Sequence, residues 1–167
     1  MRSEFSGLHV VYLHQGEIFF GDKHILISTV LGSCLSITMY NKKLGLGGIS
    51  HCQLPHCFGG NCDKCSEVFK YVDCTLEKML QKFDRLKIKR EDVEIKAFGG
   101  GDVLITNEES QKSKTIGRQN INALMNWMDQ NKLKLTAFDM GGKKGRKIFF
   151  IPSTGEIFLK RINNEED

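Results

Sequence analysis

Glycine placement is the strongest constraint on how this chain can fold. The 167 residues contain 17 glycines and two prolines, so the backbone turns mainly where glycine lets it. Gly47-Gly48, Gly59-Gly60, Gly99-Gly100-Gly101 and Gly141-Gly142 with Gly145 cut the chain into short segments. Most of these segments are rich in β-branched and aromatic residues, which favours strands. Leu8 to Leu13 and Ile18 to Phe20, separated by His14-Gln15-Gly16, predict a hairpin or bent strand pair, and Ile25 to Thr29 is a third extended run. After Gly32-Ser33, Leu35, Ile37 and Met39 alternate with Ser36, Thr38 and Tyr40, the period of a half-buried strand. Asn41-Lys42-Lys43 turns the chain, and Leu44 to Ile49 returns to Ser50-His51.

Helical periodicity occurs twice. Val68, Val72, Leu76, Met79, Leu80 and Phe83 recur every three or four residues, with Lys70, Asp73, Glu77 and Lys78 opposite. A second helix is expected from about 117 to 131, with Ile121, Leu124, Met125 and Met128 as its apolar stripe. Val93 to Phe98 and Leu133 to Asp139 are extended, and Ile148 to Ile151 should pair with Ile157 to Ile162 across Pro152-Ser153-Thr154-Gly155. Strands outnumber helices and fall into two sets around the helices. This predicts an α+β fold, a layered α/β sandwich with mixed or antiparallel sheets and two main helices. Residues 1–162 are expected to form one domain, and 163–167 a solvated acidic tail.

The net charge of +4 is spread along the chain, apart from Lys82 to Arg90 and Lys143 to Lys147. No basic stripe with interleaved aromatics is present, so no nucleic-acid partner is expected. No stretch approaches the ~20 apolar residues of a membrane helix, and the first residues lack the pattern of a secretory signal. The expected location is the cytoplasm, where thiols are kept reduced, with no insertion into a membrane.

Six cysteines are present. Cys34 stands alone, whereas Cys52, Cys57, Cys62, Cys65 and Cys74 crowd together. The Cys62-x2-Cys65 step has zinc-ligand spacing, and Cys57 and Cys52 would complete a set of four, with His56 and Cys74 on its flanks. The second CxxC of the usual zinc pattern is missing, so the favoured reading is a cysteine-rich loop between 52 and 74 that forms a rim over the site described next, with no bound metal. Gly99-Gly100-Gly101-Asp102 lacks the spacing of a dinucleotide fingerprint. Gly141-Gly142 to Gly145-Arg146 reads as a tight turn, and Arg118 and Asn120 as caps or pins for the glycine loops.

Cys34 follows a Gly-Ser step at the junction of two extended runs, where backbone N–H groups are free of any ladder and could face a developing oxyanion. One strand and its return later comes His51. Two adjacent antiparallel strands would bring positions 34 and 51 to the same end of a sheet, as a thiol nucleophile and its base require. Ser28 and Thr29 are the nearest groups that could orient the imidazole, and by strand alternation only one of them can. From spacing alone, a small buried cysteine and a structural histidine are the commoner reading.

Leu31-Gly32-Ser33-Cys34 and Gly47-Gly48-Ile49-Ser50-His51-Cys52-Gln53-Leu54-Pro55 resemble the paired motifs of the CheD family, the chemoreceptor glutamine deamidases of bacterial chemotaxis. The resemblance continues through Phe69-Lys70-Tyr71-Val72-Asp73, Lys96-Ala97-Phe98-Gly99-Gly100-Gly101 and Ile116-Gly117-Arg118-Gln119-Asn120. It ends with Asp139-Met140-Gly141-Gly142 to Gly145-Arg146-Lys147 and Thr154-Gly155. It implies a CheD-like fold, a thiol nucleophile at Cys34 and a histidine base at His51. The family's third catalytic residue, a threonine, falls on Ser28 here, with Thr29 as the alternative in its place. Gly32 and Ser33 would contribute oxyanion contacts. The implied reaction converts a receptor glutamine to glutamate through a thioester, with release of ammonia and without a metal or organic cofactor. The implied partners are the cytoplasmic domain of a chemoreceptor and, in an adaptor reading, a CheC-like phosphatase. A zinc-stabilised redox sensor and a hydrolase of small amides are the remaining alternatives.

Overall fold

The computed structural model describes residues 5–103 and 115–163. Nine strands form two sheets: β1 (Val10–Tyr12), β2 (Ile18–Gly21), β3 (Leu26–Leu31), β4 (Leu35–Asn41), β5 (Leu46–Ser50), β6 (Glu94–Gly99), β7 (Ala137–Met140), β8 (Gly145–Phe150) and β9 (Ile157–Ile162). The first sheet has the order β1-β3-β8-β9 and the second β2-β5-β4-β6-β7. β1 runs parallel to β3 and β6 parallel to β7, while the other pairs are antiparallel. The helices are α1 (Val72–Arg85) and α2 (Ile116–Gln130).

The expected α+β layering is present. Ile27 and Leu31 of β3, Ile148 and Phe150 of β8, Ile49 of β5 and Phe98 of β6 form a core between the sheets. On the opposite face of the second sheet, Leu35, Ile37 and Met39 of β4 and Ile95 and Ala97 of β6 pack on both helices. Val72, Leu76, Met79, Leu80 and Phe83 of α1 and Ala123, Leu124 and Met128 of α2 meet them there. The order of layers is therefore sheet, sheet, helices. Burying a leucine or phenylalanine side chain at such a position contributes about 1.5–3 kcal/mol, so the helical stripes read from the sequence define the larger core.

Three expectations change. The runs before and after His14-Gln15-Gly16 are not a hairpin, because β1 joins the first sheet and β2 the second. The turn between them, closed by the Glu17 N–H on the His14 carbonyl (3.1 Å), carries the chain across the sandwich. β4 is buried on both faces rather than half-buried, since the first sheet covers its Ser36–Thr38 face. The first helix begins at Val72, and Val68–Lys70 is a separate 3-10 turn, because Leu54 bridges to Tyr71 between them. Of the acidic tail, all but Asn163 lies outside the described residues.

Candidate active site

Register brings Cys34 and His51 to one face. β4 and β5 pair with Thr38 opposite Ile49, and the same register continues to Leu35 opposite Cys52. That last pair exchanges two backbone bonds, Leu35 N–H to the Cys52 carbonyl (3.0 Å) and Cys52 N–H to the Leu35 carbonyl (2.7 Å). His51 therefore lies opposite Ser36, and Cys34 is its diagonal neighbour on the same face. Cys34 packs into the core between the sheets, on the side that faces β3.

Alternation along β3 decides which hydroxyl meets the imidazole. Ile27 and Leu31 point into the core between the sheets, so Thr29 does too, and Ser28 points to the other face. The Ser28 expectation is corrected on this ground: it is the Thr29 Oγ1 that lies 2.7 Å from His51 Nδ1. The same hydroxyl donates its proton to the Leu13 carbonyl at 2.8 Å. A hydroxyl has one proton, so Thr29 must accept from His51, which places a hydrogen on Nδ1. Nε2 is then left with its lone pair. It is buried and makes no hydrogen bond, whether to Cys34 or to any other described residue.

The crossover between the sheets clamps this pair from the other side. The His51 N–H donates to the Glu17 carbonyl (3.1 Å), and the Gly16 N–H donates to the His51 carbonyl (2.8 Å). Leu13, at the start of the crossover, supplies the carbonyl that orients Thr29.

Electrostatics keep both reacting groups neutral at rest. Burial lowers His51 to about 4, the Leu13 carbonyl offsetting part of this and His14 adding to it. Burial also raises the Cys34 thiol above its ordinary value. No carboxylate among the described residues hydrogen-bonds to the imidazole, whose one side-chain partner there is the neutral Thr29 hydroxyl. Such a base takes a proton briefly and gives it up readily.

The backbone around Cys34 is held by its carbonyls. Gly32 O accepts from the Gly101 N–H (2.9 Å) and Cys34 O from the Gly100 N–H (2.9 Å). Asn120 Nδ2 donates to Ser33 O (3.0 Å) and to Gln53 O (3.1 Å), tying the thiol's loop to the histidine's loop. The Ser33 and Cys34 N–H groups, outside the strands, donate to no partner among the described residues and are free to face an oxyanion. Two glycines are demanded by this packing. Gly99 has a φ of +105°, and a side chain on it would collide with the Cys34 carbonyl oxygen. A side chain on Gly117 of α2 would meet Gly100 O at 2.5 Å. The glycine run 99–101 thus serves the nucleophile's loop, and Asn120 is the pin the sequence suggested.

A groove of about 380 Å³, lined by Gln15, Gly16, Gln53, Ser66, Glu67 and Lys70 among others, opens along the segments that flank His51, with neither His51 nor Cys34 in its lining. A larger cavity of about 580 Å³, lined by Asn41, Lys42, Lys43, Lys87 and Lys89 among others, lies at the far end of β4 and offers no nucleophile.

The remaining cysteines fall out differently from the expected set. Cys52 is buried toward α1, with its thiol on Ser50 Oγ (3.6 Å) and raised to about 11, chiefly by burial. It is therefore no partner of Cys57, Cys62 and Cys65. Cys74 takes that place, joined to Cys62 by a disulfide.

Comparison with known proteins agrees with this geometry. The family model described as CheD chemotactic sensory transduction matches residues 53–161. A protein of Geobacter sulfurreducens named probable chemoreceptor glutamine deamidase CheD 2 is 36% identical over 156 residues, 93% of this chain and 92% of that protein. The chain belongs to the CheD family. The family model begins two residues after His51, but the alignment to the Geobacter protein is long enough to include positions 34 and 51. Relatives named probable chemoreceptor glutamine deamidase CheD, from Maridesulfovibrio salexigens and Oleidesulfovibrio alaskensis, are 31% and 34% identical over 94% and 95% of this chain, spanning 94% and 75% of their own lengths. Among solved structures, a hypothetical protein YfiH of Bacillus licheniformis matches 76% of this chain and 50% of its own at a TM-score of 0.41 and 10% identity, too remote to bear on function. No helix among the described residues is long and apolar enough to cross a membrane.

Proposed function

We propose that this CheD-family chain is a cysteine-dependent protein-glutamine amidohydrolase acting on chemoreceptors, with residues 1–162 as one deamidase domain, Cys34 as nucleophile and His51 as general base. The observation that carries this reading is the orientation of His51. Thr29 fixes hydrogen on Nδ1, and the bare Nε2 stands on the face that presents Cys34.

The reaction follows from these groups. Cys34 Sγ attacks the side-chain carbonyl carbon of a glutamine as its proton passes to His51 Nε2, while Thr29 holds the imidazolium through Nδ1–H. The Ser33 and Cys34 N–H groups receive the oxyanion, a role in which one donor is worth roughly 2.7–4 kcal/mol. Collapse breaks the C–N bond, and the departing nitrogen takes the proton from Nε2 and leaves as ammonia. A water then gives its proton to the freed Nε2 and attacks the thioester. Cys34 leaves as the thiol with that proton, and the product is glutamate. Every step uses the side chains and backbone N–H groups of this chain together with water.

The relatives named as chemoreceptor glutamine deamidases support a protein side chain as substrate rather than a free metabolite. In this reading the substrate is the receptor's cytoplasmic domain and the reaction takes place in the cytoplasm. A CheC-like phosphatase as second partner rests on family resemblance alone. The test is peptide mass spectrometry of a cytoplasmic receptor fragment from the same organism, incubated with the wild-type protein and with Cys34→Ala. Amide-to-acid conversion at defined glutamines with wild type, absent with the variant, is expected. A receptor that binds but stays unmodified with both would replace the enzyme by an adaptor.

A further inference from the structure

Four of the six cysteines gather at a place the deamidation chemistry does not use. Cys57 and Cys74 are buried with Tyr71, and Cys62, Cys65, Leu54 and Val68 pack against them. The four thiols come from three segments. Cys62 and Cys65 flank a 3-10 turn (Cys62–Lys64) whose closing bond runs from the Cys65 N–H to the Cys62 carbonyl at 3.4 Å. Cys74 lies in the first turn of α1, and Cys57 comes from the loop that follows Pro55. Cys62 Sγ, Cys74 Sγ and a carboxylate oxygen of Asp73 already lie within 4.8 Å of one another.

This donor set suits one ion. A CxxC turn supplies two thiolates from one knuckle, and two further thiolates complete a tetrahedron with Zn–S bonds of about 2.3 Å. Cys74 sits in the first turn of α1, where the positive end of the helix dipole favours a thiolate. With the disulfide reduced, the side-chain ties from this segment to α1 among the described residues are few, the His56–Asp73 contact at 3.1 Å among them. Between the Leu54–Tyr71 bridge ends, the excursion through residues 55–70 contains two 3-10 turns and no strand. Its apolar packing amounts to Leu54, Val68, Tyr71 and the cysteines themselves. The Lys78–Asp63 ion pair at 2.5 Å is largely exposed on the aspartate side, where solvent screens it.

We propose that Cys57, Cys62, Cys65 and Cys74 form a tetrahedral structural zinc site bracing the 55–70 excursion against α1, and that the Cys62–Cys74 disulfide is its oxidised, metal-free form. The two forms interconvert with a thiol reductant. It delivers two electrons and two protons to the Cys62–Cys74 bond and leaves as its own disulfide. Zinc then displaces one proton from each of the four thiols.

The site has a structural consequence near His51. The Gln53 and Leu54 N–H groups donate to the Lys70 carbonyl (2.8 and 3.1 Å), and the Val72 N–H donates to the Leu54 carbonyl (2.9 Å). The excursion thus leaves and rejoins the chain directly after the histidine, and its Ser66, Glu67 and Lys70 line the groove. Zinc would fix that wall without entering the reaction, so this inference stands whether or not the chain is a deamidase.

The test is metal analysis of full-length protein purified with a thiol reductant and no chelator, then offered zinc and dialysed. About one zinc per chain is expected, and replacement by cobalt should give the intense thiolate-to-metal absorption that oxygen ligands do not give. Cys62→Ser and Cys74→Ser should each lose most of the metal, and Cys52→Ser should keep it. Should the serine variants not fold, wild-type protein answers alone, because a mercurial thiol reagent would release the zinc in step with sulfur modification. Reduced wild-type protein that retains no zinc, keeps its Cys62–Cys74 bond, or binds cobalt without the thiolate band would overturn the proposal.

Discussion

Thr29→Val tests the site most directly. Thr29 is fully buried, and valine fills nearly the same volume without the hydroxyl. Two groups lose their partner, the Nδ1–H of His51 at 2.7 Å and the Leu13 carbonyl at 2.8 Å. They compensate each other in part, since the Leu13 carbonyl is near enough to the imidazole to offset some of its burial shift and can receive the Nδ1–H once the hydroxyl is gone. One unsatisfied buried group then remains to be counted, about 1–3 kcal/mol. The hydrogen is also no longer held on Nδ1, so a share of the protein carries it on Nε2, where the base cannot accept the thiol proton. Taken at the transition state, the loss lowers kcat/KM roughly 5- to 150-fold. The assay is the initial rate of amide-to-acid conversion on the receptor fragment, with thermal unfolding run on the same samples. Thr29→Ser keeps the hydroxyl and should stay near the wild-type rate. Ser28→Ala alters the opposite face of β3 and should leave the rate within about twofold. Equal damage from Ser28→Ala, or a wild-type rate for Thr29→Val, would refute the reasoning.

Three further predictions rest on the same geometry. Because burial holds the folded His51 near 4 while the unfolded value is 6.5, protonation favours the unfolded chain. The stability this group contributes is complete above pH 6.5 and falls by about 3 kcal/mol as the pH drops to about 4, which urea titrations of wild type and His51→Gln across that window will measure. For the same reason the acid limb of kcat/KM should lie near pH 4, and a midpoint at or above 6.5 would contradict a buried neutral base. Asn120→Ala frees the Ser33 and Gln53 carbonyls, so it should slow deamidation about 10- to 100-fold while costing about 2 kcal/mol in denaturant unfolding. A variant that loses stability without losing rate would make Asn120 a structural pin only.

Residue periods carried most of the secondary structure. The alternation from Leu35 to Tyr40 is a strand, and the stripes Val72 to Phe83 and Ile121 to Met128 are helices. In each case the pattern of side chains is itself the local cause of the element. The glycine clusters were legible as turns, and at Gly99 and Gly117 a side chain is physically excluded. Cys34 and His51 stood out because a strand and its return put them at one end of a sheet.

What the sequence left open depended on partners distant along the chain. The segment from His14 to Glu17 reads as a hairpin turn locally, yet it crosses between sheets because β1 finds its partner in β3 and β2 in β5. The choice between Ser28 and Thr29 could not be made from two adjacent hydroxyls, since either can bond an imidazole. It is made by which face of β3 packs against the second sheet and by the Leu13 carbonyl that occupies the hydroxyl's only proton. Likewise five crowded cysteines do not reveal that Cys52 turns under α1 while Cys74 turns toward Cys62. Helix phase and the Leu54–Tyr71 bridge decide that, and both are consequences of packing. The sequence by itself determined the elements and the reacting residue types. Only the tertiary structure decided which neighbour each of them meets, because strand pairing and layer packing are contacts between segments that no local pattern encodes.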